Sequence, residues 1–368
     1  MKVNRLYLTH FRNYSALDVD FHPGINVIYG DNAQGKTNLI EAIGYLSACR
    51  SHRTRGDREL IAFDQPEAQI IGEIFSRNRD FRLELRLRRG QRRQIRKNGV
   101  KLKNASELAG ILNTVLFCPE DLYLIRAGAA ARRSFLDSAI CQMRPRYAAA
   151  LAEYRRLHEG KTRILRDGAG MLDLLEDYNL RLCQTGALLI YYRAHFIRRL
   201  NEYAPVIHRD CADGRETLSL GYHTVKTVSD PEAKPSVLLP QLMEHMAAHR
   251  QAELDSRSCL SGPHKDDLLV SIDGMPAKQF ASQGQTRTAS LALKLAQREL
   301  LYQESGEYPV LLLDDVLSEL DARRQSFVLN RISDGQVFIT CCEERWLDRL
   351  EAGRTFRIAQ GAVLTRGQ

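Results

Sequence analysis

Residues 25–38, INVIYGDNAQGKTN, constrain the fold of this chain more than any other segment. A short apolar run ends at Tyr29, a glycine-bounded loop follows, and apolar residues then recur at helical spacing. The loop reads G-x-x-x-x-G-K-T in the strand–loop–helix context that this phosphate-binding motif requires. Backbone N–H groups and the helix N-terminus would bind phosphate oxygens, so the sequence predicts a site for ATP or GTP. The candidate nucleotide-binding residues are Gly30, Asp31, Asn32, Ala33, Gln34, Gly35, Lys36, Thr37 and Asn38.

Side chains around this loop supply the predicted chemistry. Lys36 can reach the β- and γ-phosphates, and Thr37 offers a hydroxyl ligand to Mg²⁺. The apolar run 310–313 is typical of a buried strand and ends in Asp314 and Asp315. We assign Asp314 to the Mg²⁺ shell together with Thr37. The predicted catalytic residues are Lys36 and Asp315. Of these, Asp315 would orient or deprotonate the attacking water. Arg12 is a further candidate nucleotide ligand, with a plain surface arginine as the alternative.

Composition limits the class of protein. The chain has 368 residues, enough for two or three domains, and 44% hydrophobic content suits a sizeable core. Its net charge of +8 favours a polyanionic partner. The first residues lack the apolar core of a signal peptide, and no apolar run is long enough to span a membrane. Eight cysteines without a C-x-x-C pair indicate reduced thiols, so we expect a cytoplasmic protein.

The pattern of the chain predicts an α/β fold in three segments. Residues 1–125 would form the N-terminal part of an ATPase head and contain the phosphate loop. Residues 126–258 are rich in helix formers and would form a mainly helical insertion, interrupted by a proline-containing loop at 225–240. Residues 259–368 return to strand and helix patterns and would complete the head.

Residues 77–103 hold twelve Lys/Arg against two acids. Apolar and charged residues alternate from Phe81 to Arg88, as in a half-buried antiparallel strand, and Asn98-Gly99 is a two-residue hairpin signal. The segment is therefore a predicted meander with one basic face. Either this face contacts DNA or it is a solvated face that aids solubility. The candidate DNA-binding residues are Arg82, Arg86, Arg88, Arg92 and Arg93.

The order phosphate loop, long insertion, S-Q-G-Q, LLLDD and SELD is typical of an ABC-type ATPase head with an inserted second domain. Within that superfamily the chain resembles the RecF family of bacterial recombination mediators. The matching stretches cover the whole length; they are FRNY at 11–14, GDNAQGKTN at 30–38, PEDL at 119–122, RRSFLD at 132–137, GPHKDD at 262–267, SQGQTRT at 282–288 and LLLDDVLSELD at 311–321.

The resemblance implies a function. A RecF-type protein binds ATP with Mg²⁺, forms an ATP-dependent homodimer and binds single- and double-stranded DNA at gaps and junctions. It acts with RecO and RecR to promote RecA loading in repair and in the SOS response. The ABC signature, which meets the nucleotide of the other subunit, falls on Ser282, Gly284 and Gln285. The D-loop falls on Ser318 and Asp321.

Departures from transporter-type heads predict slow hydrolysis, which suits the weak, DNA-stimulated ATPase expected of a RecF-type switch. The catalytic acid is Asp315 instead of glutamate, and Thr340 stands at the position expected for a switch histidine. Glu120 lies where a Q-loop glutamine is expected. Two other classes of protein are alternatives. A transporter ATPase subunit is opposed by the long gap before Ser282, and an SMC-like structural protein by the absence of a long heptad pattern.

Overall fold

The computed structural model describes residues 1–54, 56–167, 169–332, 334–342 and 353–367. Backbone contacts divide the chain into two compact units. The head unit comprises Met1–Leu122 and Lys294–Gln368, and the insert unit comprises Tyr123–Leu293. Within the described ranges, no helix combines the length and the apolar character needed to cross a membrane.

The elements follow one another along the chain in three blocks. The first block contains β1 (Lys2–Phe11), β2 (Tyr14–Asp20), β3 (Ile25–Tyr29), α1 (Lys36–Ala48), β4 (Glu67–Ser76), β5 (Arg79–Arg88), β6 (Gln94–Lys97), β7 (Val100–Lys101) and β8 (Thr114–Phe117). The second contains α2 (Ala129–Met143), α3 (Pro145–Asp167), α4 (Leu175–Cys211), β9 (Leu218–His223), α5 (Pro235–Ala248), α6 (Arg250–Ser256), β10 (Asp267–Ile272), β11 (Met275–Pro276) and α7 (Ala277–Phe280). The third contains α8 (Gln283–Ser305), β12 (Val310–Leu313), α9 (Ala322–Asn330), β13 (Val337–Cys341), β14 (Arg354–Ala359) and β15 (Ala362–Gly367).

An antiparallel sheet in the head unit contains the predicted meander. Its strand order is β2-β1-β4-β5-β6-β7. Side chains along β5 alternate between buried leucines and outward-facing charges, which confirms the half-buried strand. Asn98 and Gly99 connect β6 to β7 with φ of 49° and 80°, the left-handed pair that a two-residue hairpin needs.

The second sheet of the head unit carries the candidate site. Its order is β15-β14-β3-β13-β12-β8, and all its strands except the edge strand β15 run parallel. Strands β12 and β13 are fully buried, as their continuous apolar sequences predict. Because the strands are parallel, the residues that follow β3, β12 and β13 meet at one edge.

Helix α1 packs against both sheets of the head unit. It contacts β4 of the antiparallel sheet and β13 and β8 of the parallel sheet. The contact with β4 is close, because a Cβ atom on Gly72 would lie only 2.5 Å from Leu46 Cδ1. Leu39, Ile40 and Ile43 are fully buried in the core between the sheets. This burial fixes the direction in which the start of α1 points.

The insert unit is mainly helical, with a three-stranded sheet in the order β11-β10-β9. Its buried centre is polar: Arg193 bonds to Asp137 at 2.8 Å and to Asp266 at 3.1 Å. Burial raises the pKa of Asp266, against the opposite effect of Arg193 and of its hydrogen-bond donors. The prediction of a proline-containing loop at 225–240 is wrong for the second half of this range. Helix α5 begins at Pro235, where a first-turn proline loses no hydrogen bond, and continues through Pro240.

Candidate nucleotide-binding site

The phosphate loop connects β3 directly to α1, which confirms the predicted strand–loop–helix context. Gly30 and Gly35 have φ of 146° and 120°, a region that residues with a Cβ rarely adopt. Neither position has space for a side chain. A Cβ on Gly30 would lie 2.3 Å from the Ile358 carbonyl oxygen, and one on Gly35 would lie 2.7 Å from Asn13 Nδ2.

Hydrogen bonds from Asn13 and Tyr14, where β1 turns into β2, stabilise the phosphate loop. Asn13 Nδ2 donates to the Gln34 carbonyl at 2.8 Å, and the Tyr14 hydroxyl donates to the Gly35 carbonyl at 2.9 Å. Asn38 Nδ2 closes this network by donating to Asn13 Oδ1 at 2.8 Å. Burial raises the pKa of Tyr14, so its hydroxyl stays protonated as a donor. These bonds hold the loop carbonyls towards the protein.

Lys36 lies at the start of α1 with only 4% of its surface exposed. Its ammonium donates to the carbonyls of Gly30 at 2.7 Å and Asp31 at 3.0 Å. Cys342, which follows β13, also reaches this group. Its thiol lies 3.5 Å from Lys36 Nζ and 3.0 Å from Asn32 Oδ1. The lysine charge is therefore held within the curve of the loop.

A hydroxyl–carboxylate pair links the start of α1 to the residue that follows β12. The Thr37 hydroxyl donates to Asp314 Oδ1 at 3.0 Å, and the Thr340 hydroxyl donates to the same oxygen at 2.8 Å. Thr340 also accepts from the Asp315 backbone N–H at 2.8 Å. Burial raises the pKa of Asp314, against the opposite effect of the two hydroxyl donors. A hydroxyl and a carboxylate in this arrangement fit the oxygen ligands that Mg²⁺ prefers.

Arg12 binds a neighbouring carboxylate. Its Nε and Nη2 atoms each lie 2.8 Å from a Glu41 oxygen, and Nη1 donates to the Glu59 carbonyl at 2.8 Å. Glu41 is fully buried on α1 and also accepts from Ser51. Burial alone would raise the pKa of Glu41, but hydrogen bonds from Arg12 and Ser51 bring it below its ordinary value. A role for Arg12 in nucleotide binding stays a prediction.

The sequence analysis missed Arg53, in the turn after α1. Its Nη1 atom donates to Asn38 Oδ1 at 2.8 Å, and its charge helps to lower the pKa of Asp314. Its side chain is 45% exposed. Ser51 Oγ accepts from the backbone N–H groups of Arg53 at 2.9 Å and Thr54 at 3.0 Å, which fixes the turn. The serine-turn pattern S-H-R-T was the signal that could have identified this cation.

The signature residues begin α8. Ser282 and Gln285 bond reciprocally: the Gln285 N–H donates to Ser282 Oγ at 3.1 Å, and the Ser282 N–H donates to Gln285 Oε1 at 2.8 Å. This capping box fixes the helix start with Ser282 exposed and Gly284 half-buried. In the D-loop, Ser318 donates to the Asp315 carbonyl at 2.6 Å, and Asp321 caps α9 by accepting from the Arg324 N–H. The roles assigned to these residues stay predictions.

Four of the five candidate DNA-binding arginines of the meander are paired with carboxylates from neighbouring segments. Arg82 bonds to Glu73 at 3.0 Å, and Arg88 bonds to Glu67 at 2.7 Å. Arg86 also bonds to Glu67, and the two arginines lower the pKa of this carboxyl to about 2. Arg93 bonds to Asp57 at 3.0 Å. Among the described residues, the exposed cations of this segment without a carboxylate partner include Arg92, Arg96, Lys101 and Lys103.

The fold and this site together define a P-loop ATPase head of the type found in SMC proteins. A family model described as RecF/RecN/SMC N terminal domain matches residues 2–363. The Smc head domain of Pyrococcus furiosus shares the fold, with a TM-score of 0.56 over 100% of this chain and 96% of that chain at 14% identity. The predicted fold class is confirmed.

Full-length relatives narrow the class further. The chain is 37% identical over 368 residues to the DNA replication and repair protein RecF of Agathobacter rectalis, and 38% identical over 374 residues to that of Listeria innocua. In both comparisons 99% of each chain is covered. A solved structure of the recombination mediator protein RecF-ATP in the RecFOR pathway matches with a TM-score of 0.90 at 32% identity, over 100% of this chain and 97% of that chain. The chain belongs to the RecF family.

Proposed function

We propose that this protein is an ATP-dependent DNA-binding recombination mediator. The observation that carries the proposal is the geometry of Lys36, Thr37 and Asp314, in which a buried ammonium and a hydroxyl–carboxylate pair flank one glycine loop. Membership in the RecF family supports the biological setting, because relatives over the full length are DNA replication and repair proteins by name.

The ATP site would act as a switch. Loop N–H groups and Lys36 bind the phosphates, and Thr37 and Asp314 hold Mg²⁺, which when bound neutralises charge on the β- and γ-phosphate oxygens. Asp315 orients or deprotonates the attacking water. Thr340 fixes both aspartates with one hydroxyl, and it has no titration near neutral pH. A threonine here and the short side chain of Asp315 favour slow hydrolysis.

Dimerisation would complete the site. The exposed N-terminus of α8 presents Ser282 and a positive helix dipole, which suits the γ-phosphate bound by a second subunit. Ser318 and Asp321 would contact the same interface. The ATP-bound dimer would close on single- or double-stranded DNA at gaps and junctions, and hydrolysis would release it. In the cytoplasm, with RecO and RecR, it would help to load RecA in DNA repair and in the SOS response.

The test is DNA binding by the full chain to gapped, fully paired and single-stranded DNA, each with and without Mg²⁺-ATP. Lys36→Met is the matched variant, because it removes the charge and keeps much of the stem. We expect wild type to dimerise with ATP and to bind gapped DNA more tightly than without it, and Lys36→Met to do neither. Equal DNA binding with and without ATP, or ATP-dependent dimerisation of Lys36→Met, would overturn the proposal.

A further inference from the structure

Phe63 is the most exposed large apolar side chain among the described residues, with 89% of its surface accessible. It lies in the turn between Ile61 and β4. A single exposed apolar residue is common on protein surfaces, so exposure alone assigns no role. The rigidity and the charge of its surroundings distinguish this position.

The turn that carries Phe63 is fixed by hydrogen bonds on both sides. The Gln65 N–H donates to the Ala62 carbonyl at 3.2 Å, and the Ala62 N–H donates to the His10 carbonyl at 2.8 Å. The Arg89 guanidinium then binds the Gln65 carbonyl at 2.8 Å and the Ala62 carbonyl at 3.2 Å. The aromatic ring is therefore presented on a braced backbone, which reduces the entropy lost when it binds a partner.

The surroundings are cationic and open. Phe63 borders an open cleft of about 490 Å³ that is otherwise lined by Arg58, Asp64, Gln65, Pro66 and Arg89. Arg89 bonds only to neutral carbonyls, and Arg58 is exposed with no carboxylate partner in the described part of the chain. Asp64 is the one acid that lines the cleft. Of the two acids next to Arg58 in the chain, Asp57 is paired with Arg93, and Glu59 is exposed. An aromatic face with two neighbouring guanidinium groups is the chemistry that binds an unpaired base and its phosphates.

We propose that Phe63 is a stacking platform for an unpaired nucleobase, with Arg58 and Arg89 supplying charge for the adjacent phosphates. The inference rests on the proposed DNA-binding function and names the part of the DNA that this surface takes. A protein partner fits less well. Protein hot spots lie within a desolvated surround, whereas Phe63 has mostly polar and charged neighbours. Stacking on a base needs only the exposed ring.

The experiment uses the full chain with Mg²⁺-ATP and two DNAs of one sequence, a duplex with a short single-stranded gap and the fully paired duplex. The gap contains 2-aminopurine, whose fluorescence falls when it stacks. The variants are Phe63→Ala, Phe63→Trp and the control Met171→Ala, which removes another exposed apolar side chain, 57% exposed. We expect Phe63→Ala to bind gapped DNA roughly 5- to 150-fold more weakly, as for one lost base–aromatic stack.

The possible outcomes distinguish the proposed role of Phe63 from the proposed DNA-binding function of the whole protein. Support requires that Phe63→Ala loses the fluorescence change and that Phe63→Trp keeps it. Phe63→Ala must also bind the paired duplex as wild type does, and Met171→Ala must bind both DNAs as wild type does. If wild type binds gapped DNA and Phe63→Ala binds it equally with the same fluorescence, only the platform is overturned. If wild type binds neither DNA, both the platform and the DNA-binding proposal fail.

Discussion

Substitution of Arg12 tests whether this arginine near the phosphate loop binds the nucleotide or stabilises the fold through its ion pair with Glu41. Its guanidinium makes two bonds of 2.8 Å to the fully buried carboxylate of Glu41. Arg12→Met would leave that carboxylate buried with Ser51 and a more distant Arg53 at 3.8 Å. Removing one partner of a buried pair costs ~3–5 kcal/mol, and we expect the lower end, about 3 kcal/mol, because these two groups remain.

The double variant makes the test specific. Arg12→Met with Glu41→Leu replaces both charges by apolar groups of similar size, so stability should return to within about 1 kcal/mol of wild type. Ser51 would keep its bonds from the Arg53 and Thr54 backbone N–H groups. The measurement is urea unfolding of wild type, both single variants and the double variant, beside the affinity of each for a fluorescent ATP analogue.

The pH dependence has a defined sign. In wild type the pKa of Glu41 lies below its ordinary value, so its contribution to stability is present at neutral pH and is lost as pH falls through the folded pKa. Without Arg12, burial would raise this pKa above the unfolded value. The folded state would then bind the proton first, and the deficit of the variant should shrink as pH falls from about 7 towards 5. If Arg12→Met has wild-type stability but has lost affinity for ATP, the structural role of Arg12 is refuted, and Arg12 is a nucleotide ligand.

Four other predictions concern the site and the charged surface. Ser282→Arg should bind ATP yet stay monomeric in sedimentation velocity and hydrolyse nothing, and full turnover by this variant alone would show that the signature does not act across a dimer. Asp315→Asn should slow hydrolysis by ~10²-fold or more and prolong residence on DNA, whereas unchanged hydrolysis and release would exclude it as the base. Thr340→Val removes a donor from Asp314, so the pKa of that carboxyl should rise further, and the acid limb of Mg²⁺-dependent ATP binding should move to higher pH. An unmoved limb, with Thr340→Ser as control, would contradict this. Alanine at three exposed cations should reduce the slope of log affinity for duplex DNA against log salt concentration by up to about 2.7. Alanine at positions 82, 86 and 88 should reduce this slope less. Equal slopes for wild type and both triple variants would place the DNA surface elsewhere. The three exposed cations are Arg96, Lys101 and Lys103.

The parts of the fold that depend on local pattern could be predicted from the sequence. The glycine loop, the apolar strands before it and before Asp314, and the Asn98-Gly99 hairpin all follow from periodicity or from residues that tolerate positive φ. Helix α5 shows the limit of such rules. Pro235 falls at the first helical position, where an N–H has no partner within the helix. Helix α5 also continues through Pro240, its sixth residue, although this proline removes one backbone hydrogen bond.

The parts that depend on distant pairing could not be predicted. Strand β10 pairs with β9 in the insert unit, although its position in the segment 259–368 predicts a strand of the head. The hydroxyl of Thr340 reaches Asp314 because β13 lies beside β12 in parallel register, with Ile339 opposite Leu313. Asn13 reaches the phosphate loop because the turn after β1 lies behind it. None of these contacts leaves a periodic signal in the sequence.

The meander shows why counting charges along a segment misjudges a surface. Residues 77–103 are strongly basic when counted alone, yet each outward position of β5 faces a residue of β4. Glu73 lies directly opposite Arg82, and Glu67 lies directly opposite Arg88 and diagonal to Arg86, so the carboxylates of β4 neutralise this part of the face. Beyond β5 the sheet continues into β6 and β7, which carry no acid. Arg96 lies opposite Glu84 of β5, and Lys101 lies opposite Arg96, but neither cation bonds to a carboxylate in the described part of the chain. A polyanion gains most where counterions are not already replaced by protein carboxylates. We therefore predict that DNA binding depends more on the far edge of the sheet and on the turn that carries Phe63 than on the centre of β5.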